Sequence, residues 1–189
     1  MDIAEIKAEL RRSIRAERRA LSDEERIRSA EAVAERITAL EALNSAKLVL
    51  AYMPMKYELD ILPAVSRLKE RGITPVFPLC VENGGLRLLI PAEENGFHTG
   101  AYGISEPDAA TSAEVQAEDL DAIILPAVGF DRQGRRLGQG GGYYDRLLAR
   151  CSCMTIAVGF DCQLVGEVPV EETDRKVDIV VTPHETIVV

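Results

Sequence analysis

Apolar and polar positions follow two rhythms along this chain, and the rhythm changes near Lys47. Ile3, Ile6, Leu10 and Ile14 recur three and four residues apart, which marks one stripe of a helix. Lys7, Arg11 and Arg15 recur four apart on the same stretch and form a basic ridge. Ser22 with Glu25 three residues later is a capping box and opens a second helix. Its buried stripe is expected at Ile27, Ala30, Ala34 and Ile37. From Lys47 the helical period is lost, and KLVLAY reads as a short buried strand. Asp60 is placed to cap a helix over residues 61–71, with Pro63 tolerated in its first turn and Gly72 ending it. ITPVFP is a second strand, and an Asn83-Gly84-Gly85 turn leads into a third, LRLLI. Residues 91–120 carry mostly loop signals. DAIILP returns to strand, residues 126–139 form a glycine-containing loop, and a helix is predicted from about Gly141 to Arg150. MTIAVGF, DIVVTP and a short ETIVV supply the last strands.

Strands alternating with helices predict an α/β layered fold: a largely parallel central sheet flanked by helices, with an N-terminal helical pair. No linker, repeat or low-complexity tract interrupts the chain, so one domain over residues 1–189 is expected, with the first helix packing across it.

Composition narrows the function classes. A 47% hydrophobic share in 189 residues supports a globular core, and no run approaches a membrane span. The charged amphipathic start lacks the apolar centre of a secretory signal, so a cytoplasmic location is expected. The net charge of −9 disfavours a nucleic-acid coat protein, yet residues 1–20 carry +2 against −11 for the remainder. That distribution suits a small anionic ligand, with neither nucleic acid nor membrane as partner. Cys80, Cys151, Cys153 and Cys162 do not follow the paired spacing of a structural zinc site and read as ordinary thiols. His98 and His184 carry no assigned role.

The chemistry concentrates in LPAVGFDRQGRRLGQGGGYYDRLLAR, residues 125–150. A strand ends, a loop carries Gly134, Gly138, Gly140, Gly141 and Gly142, and a helix begins. Glycines let the backbone approach a ligand closely, and a helix start offers unpaired N–H groups, so the segment reads as a phosphate cradle. Arg135, Arg136 and Arg146 add positive charge. The segment matches neither the P-loop nor the dinucleotide fingerprint. A glycine-rich turn that only packs helix on strand is the structural alternative.

The run Gly134-Arg135-Arg136-Leu137-Gly138-Gln139-Gly140-Gly141-Gly142-Tyr143-Tyr144-Asp145 resembles the signature of the 5-formyltetrahydrofolate cyclo-ligase family. Leu125 to Asp131, the Lys7 to Arg11 spacing, Tyr52-Met53-Pro54-Met55 followed by Glu58, and Val168-Pro169 through Asp174 to Asp178 fit the same pattern, in order, over nearly the whole chain. The resemblance implies an enzyme that uses ATP and magnesium to close 5-formyltetrahydrofolate into 5,10-methenyltetrahydrofolate, releasing ADP and phosphate through a phosphorylated formyl intermediate. It implies ATP contacts from Lys7, Arg11, Arg136, Leu137, Gly138, Gln139, Gly140, Gly141, Gly142, Tyr143 and Tyr144. Met53 and Glu58 would line the folate site, Tyr143 and Arg136 would serve the reacting groups, and Asp145 and Asp174 would hold Mg2+. Some relatives carry basic residues where this chain has Gln139 and Gly141, so part of the phosphate charge is expected to be met elsewhere, by Lys7, Arg11 or magnesium. The protein is expected to act as a monomer or weak homodimer on small-molecule substrates. A paralogue acting on another substrate and a non-enzymatic nucleotide-binding regulator are the rival readings, and folate-dependent ATP turnover separates all three.

Overall fold

The computed structural model describes residues 2–81, 84–92, 96–100, 103 and 105–189. Two capped helices come first, α1 (Ile3–Ala20) and α2 (Asp23–Thr38). Both begin with capping boxes, Asp2 with Glu5 and Ser22 with Glu25, each side chain satisfying a backbone N–H that the helix leaves free. Then follow β1 (Leu48–Leu50), α3 (Leu62–Glu70), β2 (Thr74–Val81) and β3 (Gly85–Ile90). Asp60 Oδ1 accepts from the Leu62 amide at the start of α3, and Gly72 adopts φ +82° just beyond its end, as glycine permits. The Asn83 of the expected turn lies outside the described residues. The stretch with mostly loop signals contains three short strands, β4 (Phe97–Thr99), β5 (Ser105–Pro107) and β6 (Ala113–Val115). The final third holds β7 (Ala122–Pro126), the hairpin β8 (Gly129–Phe130) and β9 (Arg136–Leu137), α4 (Tyr143–Leu148), β10 (Met154–Val158), β11 (Ile179–Val181) and β12 (Thr186–Val188).

The main sheet runs β12-β11-β10-β7-β1-β2-β3-β6. Its five central strands, β11, β10, β7, β1 and β2, are parallel, and antiparallel strands close both edges. The central strands are apolar on both faces because helices cover both. In β7, Ala122 and Ile124 face the layer of α2 and α3, whereas Ile123 and Leu125 face the layer of α4.

Two stripes are corrected by the packing. Ile27 is 67% exposed, and α2 buries Ala30, Val33, Ala34 and Ile37 instead. On α1, Ile6 is 38% exposed, and the buried residues are Lys7, Ile14 and Arg18. The basic ridge thus turns toward the protein, because acidic and carbonyl partners wait there. Ile14 anchors this face in a cluster with Val128, Leu137 and Val168, so α1 lies against the β8–β9 hairpin. Gly129 makes the contact possible: a Cβ there would sit 2.6 Å from Ile14 Cδ1.

Candidate functional site

After β1 the chain turns to one side of the sheet, through β2, β3 and β6. It then returns to β7 on the other side of β1 and continues to β10 and β11. The carboxyl ends of β1 and β7 are therefore a topological switch point, where α/β sheets leave a crevice for ligands. A cavity of about 380 Å³ opens there. Tyr52, Met53, Met55 and Glu58 line it from the segment after β1, and Pro126 and Ala127 from the end of β7. Gly138 to Gly142, Tyr143, Tyr144 and Asp145 form the wall from the glycine loop, joined by Arg136.

Each wall is held by specific bonds. The Tyr52 hydroxyl donates to Leu59 O at 2.8 Å and closes the turn that presents Glu58, whose Oε2 accepts from the Met55 amide at 3.0 Å. Burial pushes the Tyr52 hydroxyl well above its ordinary range, helped by the charge of Glu58, so it stays a neutral donor. The buried Gln163 side chain donates to Ala127 O and Val128 O and accepts from the Phe160 amide, which fixes the floor at the end of β7. In the loop, Gly140 and Gly142 adopt φ +105° and +68°, conformations that side-chain-bearing residues avoid. Gly142 sits at the N-cap of α4 with no side-chain cap, so the first-turn N–H groups are not taken up by a capping side chain. The helix is shorter than the expected Gly141–Arg150 span, covering Tyr143–Leu148.

The expected residues separate into groups. Met53, Glu58, Arg136, Gly138, Gln139, Gly140, Gly141, Gly142, Tyr143, Tyr144 and Asp145 all reach the cavity. Leu137 does not: it is 1% exposed and packs with Ile14, leaving only its backbone near the loop. Of the three loop arginines, only Arg136 lines the cavity. Its Nη2 donates to Asp145 Oδ1 at 2.7 Å, and its buried Nε has no partner among the described residues. Arg135 is held by Asp131 and Glu167, and Arg146 by Gly84 O and by Gly141 O of the loop, and neither arginine lines the cavity. Burial raises the Tyr144 hydroxyl far above its usual range, with Glu58 adding to the effect and Arg136 opposing it.

The helix α1 closes the loop from outside. Arg11 Nε donates to Gly138 O at 2.8 Å, and Arg15 Nη2 donates to Gln139 Oε1 at 2.5 Å. Lys7 Nζ lies 2.5 Å from Asp174 Oδ2 and 2.6 Å from Glu171 Oε2. Burial alone would lower the Lys7 pKa, but the hydrogen bonds and charges of these two carboxylates outweigh it and raise it. Lys7, Arg11 and Asp174 stand behind the loop and do not line the cavity. Asp145 and Asp174 thus sit in separate ion pairs, with Arg136 and Lys7. No cluster of three metal-ligating side chains occurs among the described residues. Two carboxylates still suit magnesium, which takes one or two from protein and the rest from phosphate and water.

Several residues of this site escaped the sequence reading. Cys80, Ser105 and the buried Glu106 complete the far wall, and Glu106 Oε1 accepts from the Cys80 amide at 3.4 Å. Nothing in the local pattern of residues 91–120 marks Glu106. Arg15 was visible as the third member of the basic ridge, but not its meeting with Gln139.

Comparison with known proteins agrees with this geometry. Residues 3–183 match the pattern that defines the 5-formyltetrahydrofolate cyclo-ligase family. A 5-formyltetrahydrofolate cyclo-ligase of Escherichia coli is 34% identical over 177 residues, covering 91% of this chain and 97% of that protein. The NMR structure of Aquifex aeolicus 5,10-methenyltetrahydrofolate synthetase superposes with a TM-score of 0.86 at 34% identity, over 97% of this chain and 92% of that one. A 5,10-methenyltetrahydrofolate synthetase from Mycoplasma pneumoniae shares the fold, with a TM-score of 0.77 at 23% identity over 94% and 98% of the two chains.

Proposed function

This chain belongs to the 5-formyltetrahydrofolate cyclo-ligase family, and on that premise we propose that it converts 5-formyltetrahydrofolate and ATP into 5,10-methenyltetrahydrofolate, ADP and phosphate. One observation carries the reading: a single cavity joins the glycine loop to the Met53–Glu58 turn at the switch between β1 and β7. A phosphate donor on the loop and a pterin on the turn would lie in the same crevice.

The reaction has to activate an amide. The formyl carbon on N5 is weakly electrophilic, and its oxygen is a poor leaving group. The formyl oxygen forms a bond to the γ-phosphorus while the β,γ-bridging P–O bond breaks and ADP leaves. N10 then attacks the activated carbon, the C–O bond breaks, phosphate departs and the N10 proton is lost. No protein nucleophile is needed, so the residues work by alignment and charge. Arg136 suits the transferring phosphoryl group: its side chain is 3% exposed, it lines the cavity, and its Nε proton lacks an acceptor among the described residues. The loop N–H groups, with Gly140 and Gly142 in left-handed conformations, fit phosphate oxygens. The Glu58 carboxylate accepts hydrogen bonds and suits pterin N–H donors, with Met53 beside it. Tyr143 lines the same cavity from the start of α4 and is the residue proposed to serve the reacting groups.

Magnesium, when bound, would neutralise charge on the phosphate oxygens. Asp145, lining the cavity, and Asp174, behind the loop on Lys7, are the carboxylates proposed to hold it. The test is the absorbance of methenyltetrahydrofolate formed from 5-formyltetrahydrofolate, with ATP and magnesium each present or omitted. Product only in the complete mixture is expected. ATP turnover indifferent to the folate, or no turnover from folded protein, overturns the proposal.

A further inference from the structure

Gln139 occupies a place where its neutral amide meets charges of both signs. Arg15 Nη2 on α1 donates to its Oε1 at 2.5 Å, and its Nε2 donates to Glu58 Oε1 at 3.3 Å. The orientation of the amide follows from chemistry, because a guanidinium only donates and a carboxylate only accepts. The result is a continuous chain: guanidinium, amide, carboxylate. It starts on the helix that closes the glycine loop and ends on the turn that presents the folate-side carboxylate. Glu58 Oε2 is anchored separately by the Met55 amide, and the bond from Gln139 to Oε1 joins the two walls.

We propose that Gln139 couples the two substrates, by a bridge between Arg15 and Glu58 that each substrate must disturb from its own side. The inference rests on the folate and ATP sites proposed above. Pterin N–H donors seeking Glu58 compete with the Gln139 amide for the same carboxylate. Arg15 lies outside the cavity lining but reaches the glycine loop at Gln139, so phosphate oxygens on that loop compete with the Gln139 carbonyl for its guanidinium. The two bonds of the bridge polarise one another: the Arg15 charge makes the amide a stronger donor, and the Glu58 charge makes it a stronger acceptor. When one ligand breaks its half, the other half is weakened, and the second ligand has less to disrupt. Each substrate therefore favours binding of the other, and by linkage the factor is the same in both directions. The bridge also adapts a neutral side chain to the loop, bringing the Arg15 cation to a position where the loop itself carries none.

The experiment is isothermal calorimetry on the full chain with a non-hydrolysable ATP analogue, magnesium and 5-formyltetrahydrofolate. The Kd of each ligand is measured alone and with the other saturating, for the wild type and for Gln139→Leu, which keeps the bulk and removes both bonds. The wild type should show mutual tightening of about fivefold or more, the lower end of common coupling factors. In Gln139→Leu the tightening should fall to within about twofold of none, and this factor, not the affinity of either ligand alone, is the readout. Gln139 is exposed, so the variant is expected to fold, and thermal unfolding verifies this. Arg15→Gln gives an independent check: it breaks the bridge at the other end and should lose the same coupling while ATP affinity itself falls. Unchanged coupling in folded Gln139→Leu overturns the proposal, as does a wild type in which neither ligand affects the other. A wild type that binds neither ligand sinks the functional reading as well, which is a different result.

Discussion

Arg136 and Asp145 form a 2.7 Å ion pair across the glycine loop, with the arginine side chain almost wholly buried and the aspartate 26% exposed. The pair links the end of the β8–β9 hairpin to the first turn of α4, so it sets the span of the loop between them. Asp145→Asn should leave a buried guanidinium short of its charged acceptor. A stability loss of about 1–3 kcal/mol is expected, read by urea unfolding, together with lower turnover. Full activity with unchanged stability would show that the pair is incidental.

Glu58→Gln separates the two walls of the cavity. The amide keeps the shape but removes the charge that pterin donors would meet. Folate affinity should fall by about 1.5–3 kcal/mol, the value of a hydrogen bond to a charged group, while the ATP analogue loses far less. Equal losses for both ligands, measured by calorimetry, would point to a collapsed turn instead.

The Lys7 cluster makes a prediction about alkaline pH. Its pKa in the folded protein is raised above the ordinary 10.5. Its contribution to stability is then complete below 10.5 and is lost as pH rises through the raised folded value. Unfolding midpoints for the wild type and Lys7→Met should therefore differ at neutral pH and converge at the alkaline end. A difference that grows with pH would contradict the sign. Asp174→Asn should weaken the same cluster and raise the magnesium concentration needed for half-maximal rate at fixed ATP. An unchanged magnesium curve would remove Asp174 from the proposed metal site.

Two glycine substitutions should fail differently. Gly140→Val places a β-branched residue at φ +105°, a strain of about 1–3 kcal/mol, in a loop wall of the cavity. ATP affinity should drop at every magnesium concentration. Gly129→Ala puts a methyl 2.6 Å from Ile14 Cδ1, remote from the cavity lining. It should lift α1 from the hairpin and lower stability, with the ATP KM rising because Arg11 and Arg15 retreat with the helix. Limited proteolysis within α1 reads this directly.

Strand order could not be read from the chain, but most strands could, because β7 and β11 are unbroken apolar runs covered on both faces, and β10 is interrupted only by Thr155. The two capping boxes and the Gly72 stop are local devices, and local devices are legible. The burial of α1 depends on distant partners instead. Hydrophobicity alone favours Ile6, whereas Lys7 is drawn inward by Asp174 and Glu171, partners more than 160 residues away. Arg135 and Arg146 were indistinguishable from Arg136 in the sequence. The local Asp131 and the distant Glu167 hold Arg135, and the distant Gly84 helps to hold Arg146, so neither lines the cavity. Glu106 sits in a segment without periodicity, so its arrival in the cavity wall had no sequence signal.

The seat of α1 against the β8–β9 hairpin has a consequence for how the enzyme is made. Arg11 meets Gly138 across 127 residues and Lys7 meets Glu171 across 164, so these contacts close long loops. Closing such loops is entropically slow and is rewarded only after the sheet exists. On the ribosome α1 emerges well before the hairpin and the segment around Asp174, so its seat against them forms only after both have been synthesised. Completion of the phosphate side of the cavity is thus expected to be a late event in folding, and a chain released early should hold a formed core with an open site.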